Sequence, residues 1–341
     1  MANFPHAPAP MEALLASELP TDAGWLFEPK WDGFRCLARR DGDDITLTSK
    51  SGKALHRYFP EVVAVLAAVK EQRFLVDGEL IIPIGDALSF DALQLRLHPA
   101  ESRIRKLSQE TPAELMLFDL LAIGNRSLAG TPLAGRRKAL HEFHSRNGMP
   151  GLLLSPATRD HRTAAGWLER SGGALDGVIA KRADQTYRSG ERAMIKVKQQ
   201  RTADCVVGGF RYAEKRPEVG SLLLGLYDDA GLLHHVGFTS ALKAEDRPQL
   251  TKQLEKLIQS PGFTGDAPGG QSRWANARSA EWQPLKSELV VEVRYDQITG
   301  RRFRHGTGLV RWRPDKAPSQ CTFDQLAPEL RPSELAQLFS Q

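Results

Sequence analysis

One segment near the N-terminus places a lysine between two acids and just before a glycine. It reads EPKWDGFR over residues 28–35, with Lys30 between Glu28 and Asp32. A lysine acts as a nucleophile only after it has lost its proton, and nearby positive charges favour that neutral form. Taken alone, the segment is better explained as an ordinary surface ion pair. Its interpretation therefore depends on what the rest of the chain brings to it.

Apolar, strand-like segments further along the chain contain embedded charged residues. Alternate residues of a strand share a face, and buried charges are costly unless they are paired or bound to a ligand. We therefore expect one charged cavity for a nucleoside triphosphate and a divalent metal, with lysines on the phosphates and carboxylates on the ribose hydroxyls and the metal. The embedded residues are Asp77 and Glu79 in FLVDGELII, Asp119 in LMLFDLLAI, Asp176 and Lys181 in LDGVIAK, and Lys196 and Lys198 in MIKVK.

Strand-like and helix-like segments alternate up to about residue 201, which predicts an α+β domain with antiparallel sheets. An Asp-Gly step at residues 41–42 lies between two apolar-rich runs and supplies the positive backbone angles of a hairpin turn. The predicted strands are residues 34–40, 44–49, 74–83, 113–123, 176–181 and 193–198, and the predicted helices are residues 61–70, 135–146 and 163–170.

The pattern changes after residue 201 to short β segments punctuated by glycine, with one amphipathic helix over residues 245–258. Short strands with a single helix are typical of a small closed barrel, of which the OB-fold is the common version that binds nucleic acids. We predict a first domain over residues 1–201 and an OB-fold β-barrel over residues 202–341. The predicted barrel strands are residues 204–212, 221–228, 232–239 and 289–298.

Composition excludes several classes of protein. Of the 341 residues, 41% are hydrophobic and 26% are charged, which disfavours a disordered or fibrous chain. The three cysteines lie far apart with no C-x-x-C pair, so their spacing provides neither a disulfide framework nor a zinc site. No apolar stretch approaches the length that spans a membrane. We expect a protein of a reducing, cytoplasmic compartment with no membrane partner.

The net charge of +5 is only weakly informative, but its distribution is uneven. Two basic stretches either form solvated faces or line a groove that binds phosphates. They comprise Arg192, Lys196, Lys198, Arg201, Arg211, Lys215 and Arg216, and then Arg301, Arg302, Arg304, Arg311, Arg313 and Lys316.

The order of these motifs resembles the covalent nucleotidyltransferase superfamily, most closely the ATP-dependent DNA ligases and, within them, the small bacterial ligase C class. Six elements in the family's order are far more specific than any one of them, and they cover almost the whole chain. The resemblance implies a nucleotidyltransferase (ATP-grasp-like adenylation) domain followed by an OB-fold domain. The elements are residues 30–33 (KWDG), 77–79 (DGE), 118–119 (FD), 176–181 (DGVIAK), 195–198 (IKVK) and 311–316 (RWRPDK).

The resemblance assigns a role to each residue of the nucleotide pocket. It implies that Lys30 attacks the α-phosphorus of ATP and becomes lysyl-AMP. It also implies that Glu28 contacts the adenine amino group, that Arg35 and Glu79 contact the ribose, and that Phe118 stacks on adenine.

Further residues are implied to act on phosphates and metal. Lys196 and Lys198 hold the α-phosphate, Lys181 adds positive charge, and Lys50 stands where the family usually has a phosphate-contacting arginine. Lysine keeps the charge but lacks the two-pronged geometry of arginine. The implied metal is Mg²⁺ or Mn²⁺, and its implied ligands are Asp32, Glu79 and Asp176. The residues implied to act at the ATP pyrophosphate are Arg311, Arg313, Asp315 and Lys316.

The function implied is that of a DNA ligase (ATP), EC 6.5.1.1, which seals nicks between a 3′-hydroxyl and a 5′-phosphate in duplex DNA. An RNA ligase, a capping-type nucleotidyltransferase and a non-catalytic OB-fold protein that binds nucleic acid remain as alternatives. The same resemblance suggests a monomer associated with the bacterial nucleoid, with a role in DNA repair and a partner such as a primase-polymerase.

Overall fold

The computed structural model describes residues 5–85, 87–171, 175–199, 201–214, 216–269, 281–296, 298–299, 301–303 and 306–326. The described residues up to Gln199 form one compact unit, and those from Arg201 onward form a second.

The first unit contains strands and helices in alternation, as the sequence pattern predicts. Its strands are β1 (Glu12–Ala16), β2 (Trp25–Trp31), β3 (Phe34–Asp41), β4 (Asp44–Ser49), β5 (Arg73–Ile81), β6 (Pro83–Ile84), β7 (Ala87–Leu88), β8 (Glu114–Ile123), β9 (Arg126–Ser127), β10 (Leu152–Leu154), β11 (Leu175–Arg182) and β12 (Arg192–Val197). Its helices are α1 (Pro60–Ala68), α2 (Phe90–Arg96), α3 (Glu101–Glu110), α4 (Leu133–Asn147) and α5 (His161–Glu169), with a 3₁₀ turn at His56–Tyr58.

Two sheets form the body of this unit. One has the strand order β1-β12-β11-β2, and the other runs β10-β8-β5-β3-β4 with β9 paired to β8. Antiparallel pairing predominates as predicted, and β3 and β4 are joined by the predicted Asp-Gly turn, where Gly42 has a φ of +65°. Two pairings, β1 with β12 and β10 with β8, are parallel.

Several elements were not expected from the sequence. The strands β1 and β10 are too short to show alternation, and α3 buries only Ile104, so its apolar period is absent. The helix α2 does begin with a recognisable signal, because the Ser89 hydroxyl accepts a hydrogen bond from the Ala92 N–H at 3.1 Å.

The described residues of the second unit form an antiparallel sheet and one α-helix. Its strands are β13 (Arg201–Ala213), β14 (Arg216–Tyr227), β15 (Leu233–Thr239), β16 (Gln283–Pro284), β17 (Val290–Tyr295), β18 (Ile298–Thr299), β19 (Arg302–Phe303) and β20 (Gly308–Trp312). Its helix is α6 (Arg247–Glu255), and its 3₁₀ turns are Ala244–Asp246, Pro318–Gln320 and Phe323–Gln325.

The principal strands of the second unit run in the order β15-β14-β13-β17-β20. The two outer strands approach each other at a parallel bridge between Thr239 and Thr307, where the Thr307 N–H donates to the Phe238 carbonyl at 3.1 Å. Along the chain these strands are β13, β14, β15, β17 and β20, so the bridge brings the third strand, β15, next to the fifth, β20. This connectivity is that of a partly open OB-fold barrel. The last strand, β20, was not expected from the sequence.

A buried ion pair joins β8 to α4 in the first unit. Arg136 donates from Nε and Nη2 to the two carboxylate oxygens of Asp119 at 2.8 and 2.9 Å, and both side chains are almost fully buried. Such a pair ties the sheet to the helix, because either charge alone would be stranded away from water.

Removing one partner should therefore be costly. We expect Arg136→Met to lower the free energy of unfolding in urea by about 3–5 kcal/mol. The matched control is Arg105→Met, which breaks an exposed pair with Glu101 and should cost less than about 1 kcal/mol. Equal losses in the two variants would show that burial does not decide the cost.

Candidate functional site

One face of the four-stranded sheet forms a wall of a cavity. Glu28 and Lys30 alternate along β2, and the neighbouring strands β11 and β12 present Ile179, Lys181 and Lys196 beside them. The register aligns this row, since Glu28 lies opposite Ile179 and Ile179 lies opposite Lys196. Because successive side chains of a strand point to opposite faces, residues two apart share the cavity.

The second sheet supplies the facing wall. Arg35 on β3 lies directly across from Glu79 on β5, and Phe118 projects from β8. The cavity has a volume of about 450 Å³. It is lined by many of the residues that the sequence singled out, namely Glu28, Lys30, Arg35, Lys50, Glu79, Phe118, Lys181 and Lys196.

Two glycines allow the backbone to pass close to the opposing strands. A Cβ on Gly33 would lie 2.1 Å from the Leu80 carbonyl oxygen. Gly177 has a φ of +127°, and a Cβ there would lie 2.1 Å from the Val197 carbonyl oxygen. Gly33 follows Asp32, and Gly177 follows Asp176. Because a side chain would collide with the opposing strand at each position, the close approach explains why glycine follows the acid in both motifs.

A shared carboxylate links two lysines at the cavity. Asp176 accepts from Lys30 at one oxygen and lies 2.9 Å from Lys198 Nζ at the other. The side chains of both lysines are 24% exposed, and that of Asp176 is 10% exposed. The pKa of Lys196 is lowered from its ordinary value, first by burial and then by the charges of Lys30 and Lys198.

Glu28 is buried and only partly satisfied. Its Oε2 pairs with Lys181 Nζ at 2.6 Å, and Arg137 Nη1 lies 3.7 Å from its Oε1. Within the described residues, Oε1 accepts no hydrogen bond. A buried acceptor of this kind is able to receive an N–H donor from a ligand in the cavity. The Lys181 ammonium and the Arg35 guanidinium each lie 4.6 Å from the Phe118 ring centroid.

A buried network beneath the cavity orients Arg35. The carboxylate of Asp77 accepts two hydrogen bonds from Arg35, at 2.5 and 2.6 Å, and a third from the Tyr187 hydroxyl at 2.7 Å. That hydroxyl in turn accepts the Met11 N–H at 3.0 Å, just before β1. Asp77 therefore holds Arg35 directly, and through Tyr187 it holds the backbone of Met11, which also lines the cavity.

The expectation of one cavity for all the embedded acids was wrong for two of them. Asp77 does share a face with Glu79, but it is fully buried and is used by Arg35 and Tyr187. Asp119 follows Phe118 on the strand, lies on the other face and pairs with Arg136. The charge of each acid is thus compensated inside the protein.

The three carboxylates expected to bind metal do not form a ligand cluster. Asp32 is buried beside the cavity, Glu79 lies in it, and Asp176 is engaged by the lysines. The described residues contain no group of three or more His, Cys, Asp or Glu side chains arranged to hold a metal ion.

Some cavity residues were not found from the sequence. Residues 11–15 line the cavity through the unexpected strand β1, and Arg192 lines it at the start of β12. Glu12 Oε2 lies 3.3 Å from Lys50 Nζ and 3.8 Å from Arg192 Nε, so it connects two cations at the cavity. Arg192 had been noted only as part of a basic stretch, and the short strand gives no periodic signal.

The residues of the last motif lie in the second unit. Arg311 Nε donates to Glu292 at 2.7 Å, and Lys316 Nζ donates to Asp204 at 2.7 Å. Arg313 donates to both Asp204 and Asp315. Of the basic stretches, Lys215 and Arg304 lie outside the described residues.

The search for membrane-spanning segments gave a negative result. Within the described ranges, no helix is long and apolar enough to cross a bilayer.

Comparisons with known proteins agree across both units. The family "ATP dependent DNA ligase domain" matches residues 11–198, and "ATP dependent DNA ligase C terminal region" matches residues 215–316. DNA ligase C1 of Mycolicibacterium smegmatis is 44% identical over 93% of this chain and 94% of its own length. The multifunctional non-homologous end joining protein LigD of Mycobacterium bovis is 30% identical over 87% of this chain and 37% of its own. A solved Lig E DNA ligase shares the fold, with a TM-score of 0.53 and 16% identity over 89% of this chain and 99% of that one.

The raised pKa of Glu79 makes the stability of the folded chain depend on pH. Burial raises this pKa from 4.5 to about 7, although Lys30 and Arg35 act to lower it. A carboxyl whose pKa is higher in the folded chain stabilises the fold below pH 4.5, and that contribution is lost as the pH rises through about 7. We therefore compare the free energy of unfolding of Glu79→Gln with that of the wild type in urea titrations. The difference, variant minus wild type, should rise by on the order of 1 kcal/mol between pH 5 and pH 8. A difference that stays constant with pH would contradict this.

Proposed function

This chain belongs to the ATP-dependent DNA ligases, and we propose that Lys30 is the nucleophile that attacks the α-phosphorus of ATP. A P–N bond forms at Lys30, the P–O bond to pyrophosphate breaks, and the product is lysyl-AMP. The AMP then passes to the 5′-phosphate of a nick, and the 3′-hydroxyl displaces it, which is the reaction of EC 6.5.1.1. The observation that carries this proposal is the convergence of Lys30 and Lys196 in a cavity of nucleotide size, with Lys198 joined to Lys30 through the shared carboxylate of Asp176.

The adenosine part of the cavity has suitable groups for each moiety. Glu28 Oε1 is buried without a hydrogen bond from the described residues, and we assign it to the adenine amino group. Phe118 provides an aromatic face for the base. Arg35, fixed by Asp77, and Glu79 are assigned to the ribose hydroxyls.

The cationic part of the cavity suits the phosphates. We assign Lys196 and Lys198 to the α-phosphate, with Lys181 and Lys50 adding positive charge. Their ammonium groups would offset the charge that develops on the phosphoryl oxygens. The attack requires that Lys30 leave its ion pair with Asp176 and give up its proton.

The family uses ATP with a divalent metal, and the residues present are compatible with one. Mg²⁺ commonly keeps several waters and is bound through one or two carboxylates together with substrate phosphates. Asp176, Glu79 and Asp32 are carboxylates in or beside the cavity, so a complete cage of protein ligands is unnecessary. We propose that one or two of these three carboxylates would hold Mg²⁺ or Mn²⁺ together with the phosphates of ATP, and that the metal would neutralise phosphate charge.

We further propose that residues 1–201 are the adenylation domain and residues 202–341 the OB-fold domain. In the second domain, the last motif would orient the leaving pyrophosphate during the first step and offset its charge. Its residues are Arg311, Arg313, Asp315 and Lys316.

The substrate proposed is nicked duplex DNA, met during repair. A relative is named for non-homologous end joining, which supports a repair setting. We further propose a partner in repair such as a primase-polymerase. We propose a monomer in the cytoplasm, associated with the nucleoid. The family match favours none of the alternatives, which were an RNA ligase, a capping enzyme and a non-catalytic binding protein.

Covalent labelling tests the nucleophile. Incubation with α-labelled ATP and Mg²⁺, followed by denaturing electrophoresis, should label the wild type, and Lys30→Ala should reduce labelling at least about 10³-fold because the attacking group is gone. The control is Lys70→Ala, an exposed lysine that should label normally. Label retained in the Lys30 variant, or efficient labelling by GTP instead of ATP, would refute the proposal.

A second experiment separates the catalytic steps. Arg313→Ala and Lys316→Ala should slow the formation of enzyme-AMP by about 10²-fold, because pyrophosphate leaves only in that step. Sealing of a nick that already carries AMP on its 5′-phosphate should change by less than about threefold. Equal loss of both activities in folded variants would contradict the step-specific role.

A further inference from the structure

A buried acid on the barrel connects the two main cations of the last motif. Asp204 lies on β13, and its side chain is 11% exposed. Arg313 Nη1 donates to its two oxygens at 2.8 and 3.0 Å, and Lys316 Nζ donates to Oδ2 at 2.7 Å. One carboxylate therefore bridges a guanidinium and an ammonium.

The position of Asp204 is itself fixed from two sides. Its N–H donates to the side-chain oxygen of Gln325 at 3.0 Å, and Gln325 Nε2 donates back to the Asp204 carbonyl at 3.1 Å. Asp204 also lies opposite Glu292 in the strand pairing. The carboxylate is thus presented from a strand and a side-chain clamp, and not from a loose loop.

This geometry sets the spacing of the two cations. Arg313 Nη1 and Lys316 Nζ donate to the same atom, Asp204 Oδ2, at 3.0 and 2.7 Å. The distance between these two nitrogen atoms therefore cannot exceed the sum of the two hydrogen-bond lengths. Two like charges this close repel each other unless an opposite charge lies between them. Asp315 orients the other edge of the guanidinium, accepting from Arg313 Nη2 at 2.8 Å. The hydrogen bond from Arg313 holds the pKa of Asp315 down to about 2.

We propose that Asp204 is a positioning residue for the adenylation step. It holds Arg313 and Lys316 at one mutual spacing, at which they receive the leaving pyrophosphate of ATP together. Asp204 itself touches no reacting atom. This proposal rests on the proposed role of the last motif, and the competing explanation is an ion cluster that only stabilises the barrel.

The test is Asp204→Asn, assayed for the two separated steps. We expect enzyme-AMP formation to fall by about tenfold to a hundredfold, because a misplaced orienting group loses alignment with the leaving group. Sealing of a pre-adenylated nick should change by less than about threefold. Parallel loss of both steps with a lowered melting temperature would overturn the proposal in favour of a purely structural role.

A double variant provides an independent criterion. If Asp204 acts through Arg313 and Lys316, then Asp204→Asn should slow adenylation less in the Lys316→Ala background than in the wild type, because only Arg313 is left for it to position. Multiplication of the two defects would show that the residues act separately and would overturn the proposal. The matched control is Glu255→Gln, which removes the charge of an exposed acid that accepts from the Tyr212 hydroxyl in the same unit, and it should leave both steps unchanged.

The single variants distinguish the failure of this inference from the failure of the proposed function. Normal adenylation in Asp204→Asn with defective Arg313→Ala and Lys316→Ala overturns the inference alone. Normal adenylation in all three overturns the role of the last motif and this inference with it. If Asp204→Asn does not fold, Gln325→Ala removes the clamp and keeps the carboxylate, and a smaller loss confined to adenylation is then expected.

Discussion

Asp176 allows two lysines to lie close together, one of them in the wall of the cavity, and the arrangement of the candidate site depends on this carboxylate. Lys30 and Lys198 contact its two oxygens, while Lys196 lies in the same cavity. Ammonium groups at such distances repel one another in a partly buried environment. In the adenylation proposed above, this concentration of positive charge would face the phosphates of ATP, yet the chain must also fold when no nucleotide is bound. A shared acid satisfies both requirements.

A second buried carboxylate, that of Asp77, also holds side chains from different strands and loops in place. Arg35 is available to a ligand because Asp77 fixes its guanidinium from below, and Asp77 is in turn fixed by Tyr187. The Tyr187 hydroxyl also receives the N–H of Met11, which leads into β1. One buried acid therefore orients residues from separate parts of the chain that line the same cavity.

Lys50, which the resemblance places where an arginine is usual, lies at the cavity near a guanidinium from another strand. Its side chain is 61% exposed and pairs with Glu12, which also lies near Arg192. Lysine has no planar fork, but Arg192 supplies a guanidinium at the same cavity. The acid between these cations keeps them near one another, in the way that Asp176 keeps Lys30 near Lys198.

The sequence by itself determined the family and indicated that several segments with embedded charges contribute to one cavity, but it did not reveal that β1 joins them. Alternation along the strands indicated that Asp77 with Glu79, and Lys196 with Lys198, would each share a face, and the order of motifs identified the family before any contact was known. It could not separate Glu79, in the cavity, from Asp77, two residues earlier on the same face and fully buried. That difference depends on how deeply each residue lies between the sheets and on which distant cation reaches it. Only the tertiary structure decides this, because the partners Tyr187 and Arg136 lie 110 and 17 residues away from Asp77 and Asp119, and no local period encodes such pairings.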